Sequence, residues 1–96
     1  MEMFYFARFH AGEDQADALA EALADIVRAT RADADCLAIS VFRSTGDPRV
    51  FQVHSHWTND AAFDRHAQAG HAAPLVARVR ELVDQPLDGV RTYRLA

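Results

Sequence analysis

Three of the chain's five histidines and its only tryptophan fall within HWTNDAAFDRHAQAGH, residues 56–71. An imidazole can ligate a metal or move a proton near neutral pH, so spacing has to decide between the two. Helical zinc ligands stand three or four residues apart so that both rings share a face. His66 and His71 are five apart, about 140° around a helix, and Gly70 stands between them to break it. His54 and His56 share a strand face, but no nearby Cys or carboxylate offers a third ligand. The spacing therefore predicts no metal. Acid–base use fits better. Phe63 and His66 lie three apart and face the same side of one helix. That helix follows directly from a strand ending at Trp57, and His71 stands just beyond Gly70. The expected site is a pocket between helix and sheet, with Trp57 and Phe63 as substrate-binding aromatic walls and His66 or His71 as proton acceptor. The competing reading makes the aromatics core and the histidines satisfied structural groups.

No other chemistry competes strongly. Ser40, Ser44 and Ser55 lack the glycines of a nucleophile elbow. There is no P-loop and no G-x-G-x-x-G, and no recognisable cofactor motif, so no cofactor is expected. The formal net charge is -4, Lys is absent and the arginines are scattered, which argues against a phosphate-binding surface and hence against nucleic acid. Cys36 is the single cysteine, so no internal disulfide can form. That fits a reducing cytoplasm, with Cys36 as a small buried residue opening a strand. MEMFYFARFH lacks the apolar core of a signal peptide. Residues 16–30, the most apolar long window, carry Asp17, Glu21, Asp25 and Arg28, which a membrane-spanning helix would not tolerate. A soluble cytoplasmic protein is expected, with no membrane partner.

At 96 residues the chain is expected to form a single domain, 1–96. MFYFARFH (3–10) alternates as a strand with Phe4, Phe6 and Arg8 on one side and Tyr5, Ala7 and Phe9 on the other, apolar on both. The stretch from Ala11 to Asp35 reads as a helix, with Leu19, Leu23, Ile26, Val27 and Thr30 as one apolar stripe. Glu13, Asp14 and Asp17 near its start, and Arg28 and Arg31 near its end, suit the helix dipole. CLAISVFRS (36–44) and RVFQVHSHW (49–57) read as strands joined by a hairpin through Gly46 and Pro48. In the second of these, Phe51, Val53, Ser55 and Trp57 share a face. A helix then starts with Thr58 or Asn59 as its N-cap. It is interrupted at Gly70 and resumes with Pro74 near its new start, with Leu75, Val76, Val79, Leu82 and Val83 on one side. DGVRTYRLA closes the chain as a strand.

The order βαββαβ is the ferredoxin-like α+β arrangement with an antiparallel sheet. Helices cover one face of such a sheet. Apolar residues on both faces leave the other face to be covered, most simply by a second copy, so a homodimer through the sheet faces is expected. The RNA-recognition motif shares this order but stacks bases on aromatics of a glycine-containing third strand, and RVFQVHSHW has neither feature.

On ARFH in the first strand, CLAISVFRSTGDPRVF in the hairpin and HWTNDAAFDRHAQAGHAAPL beyond it, the chain resembles the antibiotic biosynthesis monooxygenase family over nearly its whole length. The resemblance implies a dimeric α+β barrel with a pocket between helices and sheet in each subunit. It also implies cofactor-free oxidation of a phenolic or quinol-like aromatic by O2, in which the protein positions the substrate and stabilises its anion. Trp57, His66 and His71 fit the quinol monooxygenase-like branch. Polyketide-oxidising members carry an Asn four residues before the Trp and a Tyr six after it, where this chain has Val53 and Phe63. Many quinol-oxidising relatives have a Glu two before the Trp, where Ser55 stands. Haem-degrading relatives use an Asn, a Trp and a His at the positions of Ala7, His66 and Val76, which argues against haem chemistry. The alternative is a non-catalytic dimer that binds a small aromatic or reactive metabolite, for example in a stress response. Isomerase or decarboxylase chemistry in the same pocket is a third possibility.

Overall fold

The computed structural model describes residues 1–70 and 72–96; His71, one of the two expected proton acceptors, lies outside the described residues. The elements run β1 (Met3–His10), α1 (Ala16–Thr30), β2 (Cys36–Arg43), β3 (Val50–Trp57), α2 (Asp60–Gln68), α3 (Ala73–Leu82) and β4 (Asp88–Thr92). The four strands form one sheet in the order β2-β3-β1-β4 with antiparallel pairing throughout. This is the ferredoxin-like α+β fold.

The periodicities explain the elements. On α1, Leu19, Ala22, Leu23, Val27 and Thr30 are buried at helical spacing, and each large aliphatic removed from water contributes about 1.5–3 kcal/mol. Ile26 is only partly buried at the margin of this stripe. On β3, Phe51, Val53, Ser55 and Trp57 are buried while Val50, Gln52, His54 and His56 are not. Together with Ala11, Ile39 and Val79, the buried faces of α1 and β3 make one core. Asn59 caps α2 by accepting the Ala62 backbone N–H at 2.8 Å, the bond expected of an N-cap side chain. Pro74 stands in the first turn of α3, where its missing N–H costs nothing.

Four boundaries and burials differ from expectation. Helix α1 starts at Ala16, not Ala11, because Asp14 adopts a left-handed φ of 63°, which no helix residue can hold. Strand β4 ends at Thr92, so residues 93–96 run on outside the sheet. Val76 is 39% exposed, since α3 turns Val79 inward instead. Cys36 is half-buried and free, and burial pushes its thiol up from the ordinary value.

The two faces of the sheet differ sharply. Helices cover the face of Met3, Ala7, Phe51, Val53 and Trp57, all buried. On the other face Phe4 stacks on His56 at 4.1 Å, while Phe6 and Phe42 pack against His54 at 4.6 and 5.1 Å. Among the described residues no helix lies over these rings: Phe6, Phe42 and Val90 remain 38%, 52% and 54% exposed. His54 and His56 also bond to Gln52 and Glu2. Among the described residues no three metal-binding side chains converge, and no helix is long and apolar enough to cross a membrane.

Candidate active site

Trp57 ends β3 on the helix-covered face, and the capped turn at Asn59 brings α2 straight back over it. The indole is 1% exposed, and its Nε1–H donates to Ser55 Oγ at 2.9 Å, a bond between neighbours on one strand face. Phe63, one turn into α2, meets Trp57 edge-on at 5.3 Å. His66, one turn further, lies 4.8 Å from the indole. The structure thus brings Trp57, Phe63 and His66 together as the strand-to-helix joint predicts. Trp57 forms the packed floor of the cluster, and Phe63, only partly buried, forms its more accessible wall.

Four residues of the cluster escape the sequence reading as site groups. Tyr5 on β1 packs against Phe63 at 4.7 Å. Arg91 on β4, the register partner of Tyr5, lies over the Phe63 ring at 4.8 Å. Its guanidinium reaches Asp64 at 2.7 Å and Asp60 at 3.3 Å. The Asp64 bond above all, with Asp60 behind it, holds that guanidinium still more firmly protonated than usual. Asp33 and Thr30 approach His66 from the end of α1, with Asp33 Oδ2 at 3.0 Å from Nδ1 and Thr30 Oγ1 at 3.5 Å from Nε2. The His66 side chain is 13% exposed. The one available signal was the apolar stripe, which ends on Thr30 and so placed a hydroxyl on the buried side of α1.

Gly89 explains how Tyr5 reaches Phe63. A Cβ at Gly89 would stand 2.6 Å from Tyr5 Cζ and closer still to the hydroxyl, so only glycine leaves room for the ring to lie along β4. Gly89→Ala is expected to cost about 1–3 kcal/mol through overpacking. Adding Tyr5→Leu should recover most of that loss in urea unfolding. Strictly additive costs in the double variant would refute this steric account.

Two cavities are lined by described residues, and neither is lined by Trp57, Phe63 or His66. One of about 320 Å³ runs between α1 and β2, lined by Val27, Arg28, Arg31, Val41 and Phe42 among others. Another, of about 100 Å³, adjoins the start of α2 and shares Asp60 and Arg91 with the rim of the cluster.

The fold is that of a ferredoxin-like α+β protein, with an aromatic and histidine cluster at the joint of β3 and α2. Residues 3–78 match the family described as Antibiotic biosynthesis monooxygenase, and the chain belongs to that family. It is 31% identical to YcnE of Bacillus subtilis (strain 168) over 67 residues, which is 70% of each chain. The structure of PA3566 from Pseudomonas aeruginosa is 29% identical and superposes with a TM-score of 0.87, covering 99% of this chain and 95% of the other. SnoaB, a cofactor-independent oxygenase from Streptomyces nogalater, shares the fold at a TM-score of 0.84 and 18% identity, with 99% and 94% coverage.

Proposed function

We propose that the protein is a cytoplasmic, cofactor-independent monooxygenase that oxidises a phenolic or quinol-like small molecule with O2. The observation that carries this reading is the placement of one titratable ring, His66, against the Trp57–Phe63 aromatic pair. A planar phenol packs against the accessible side of such a cluster, here Phe63, through area and offset stacking. His66, or His71, takes the phenolic proton, and the resulting anion is electron-rich enough to be oxidised by O2. The aromatic substrate is the reductant: one oxygen atom becomes the new quinone carbonyl and the other leaves as water. The family and the description of SnoaB support oxygenase chemistry; the phenolic substrate rests on the shape and chemistry of the cluster.

The test is oxygen consumption across a panel of phenols and hydroquinones. His66→Ala and His71→Ala are expected to lower turnover by about 10²–10⁴-fold for whichever ring is the acceptor. Equal background rates in wild type and both variants would end the enzymatic reading. A second reading has one observation in its favour: both ring nitrogens of His66 already face protein partners, as in a structural histidine. On that reading the protein binds a small aromatic without turning it over, and calorimetry would show saturable binding with no oxygen uptake.

The uncovered sheet face supports a homodimer. A second copy laid on Phe6, Phe42 and Val90 would remove apolar surface from water on both chains and add to the small core that a chain this short can build.

A further inference from the structure

Asp33 lies in the turn between α1 and β2, and its carboxylate is fixed at both oxygens. Oδ1 accepts the Asp35 backbone N–H at 2.9 Å, which sets the rotamer. Oδ2 lies 3.0 Å from His66 Nδ1. An ionised carboxylate only accepts hydrogen bonds, so Nδ1 must carry the proton that makes this one. In the neutral ring Nε2 is then the lone-pair nitrogen, and Thr30 Oγ1 faces it at 3.5 Å. A hydroxyl can turn to donate to that lone pair or to accept from an N–H. Thr30 therefore suits the ring before and after it gains a proton. Thr30 itself is 3% exposed, whereas the His66 side chain is 13% exposed, so the ring and not the hydroxyl is the group a substrate can approach. At 3.5 Å the Thr30 contact is longer than the 3.0 Å approach of Asp33 and so the weaker hold on the ring, which a substrate hydroxyl displaces at less cost.

We propose that Asp33 is a positioning residue that holds His66 in the Nδ1–H tautomer, so that Nε2 is the atom that accepts the substrate proton, with Thr30 as its resting partner. The proton of a bound hydroxyl passes to Nε2. The imidazolium so formed keeps its Nδ1–H bond to the Asp33 carboxylate, and the aromatic oxygen keeps the electron pair. The turnover part of this proposal rests on the monooxygenase reading; the tautomer part does not.

The experiment is a long-range ¹H–¹⁵N spectrum of the histidine rings at a pH where His66 is neutral, with His66 assigned by its loss in His66→Ala. The wild type should show a protonated Nδ1 and an unprotonated Nε2. Asp33→Ala should move His66 towards the Nε2–H form, while Thr30→Val should leave the Nδ1–H form in place and Asp33→Glu should restore it. If Asp33→Ala does not fold, Asp33→Asn carries the test, since its amide keeps the shape and places an NH2 donor that can face Nδ1. In the oxygen assay, Asp33→Ala should lower kcat by about 10- to 100-fold, less than the loss expected on removing a general base outright, with KM changed less than about twofold. A His66 that keeps the Nδ1–H form in Asp33→Ala, or in Asp33→Asn where the alanine variant does not fold, overturns the proposal, whatever the activity. A wild type that consumes no oxygen but shows the tautomer switch overturns only the monooxygenase reading.

Discussion

Trp57→Ala is expected to lower stability by about 3–5 kcal/mol, the range for deleting a large buried aromatic. A domain of this size has roughly 5–15 kcal/mol in total. With about 4–8 °C lost per kcal/mol at this length, the midpoint should fall by roughly 12–40 °C. The cost is large because the indole is 1% exposed and both Phe63 and His66 rest on it. Trp57→Phe separates packing from polarity. It keeps an aromatic ring but removes the N–H that donates to Ser55 Oγ at 2.9 Å. Ser55 is 6% exposed, and a buried acceptor deprived of its donor costs about 1–3 kcal/mol. Adding Ser55→Ala removes that acceptor, so the double variant should be more stable than the sum of the single losses implies. Chemical denaturation of the four proteins measures this. A coupling energy of zero would show that the indole contributes packing alone.

Val90→Glu is expected to split the proposed dimer. Val90 lies on β4 opposite Phe6 and is 54% exposed within one chain, so a carboxylate there is tolerated by the isolated fold. Across a two-fold interface the substitution appears twice. With at least about 2 kcal/mol per copy for a central contact, the dissociation constant should weaken by roughly a thousandfold or more. Sedimentation at micromolar concentration should give twice the chain mass for the wild type and the chain mass for the variant. The midpoint of wild-type unfolding should also rise with protein concentration, and that of the variant should not. Phe42→Glu, 52% exposed on β2, should behave the same way. A wild type that sediments as a monomer, or variants that keep the doubled mass, would remove the sheet face as an interface.

Much of this architecture is legible in local pattern because a periodicity states which way each side chain points from its own element. The alternation in RVFQVHSHW assigns Phe51, Val53, Ser55 and Trp57 to one face, and those four are the buried ones. The stripe ending on Thr30 and the Asn59 cap are local in the same sense. The Trp57–Phe63–His66 cluster is nearly so, since a strand end and an i, i+3 pair joined by a two-residue turn can meet in few ways. Alternation also put apolar residues on both faces of β1, but it cannot say which face the helices take. Packing decides that, and it leaves Phe6 rather than Ala7 at the surface.

The rest depends on which elements become neighbours. Asp33 and His66 stand 33 residues apart, and no spacing rule joins them; they meet because α2, turning back from Trp57, brings His66 to Thr30 and Asp33 at the end of α1. Arg91 and Tyr5 come together through the register of β4 on β1, and a one-residue slip would turn Arg91 to the opposite face. By itself the sequence determined the elements, the buried sides of α1 and β3 and the aromatic joint after β3. Only the tertiary structure decided that a carboxylate and a hydroxyl would bracket His66. Direction from an axis is written locally, whereas contact between distant segments follows from burying all the apolar faces at once.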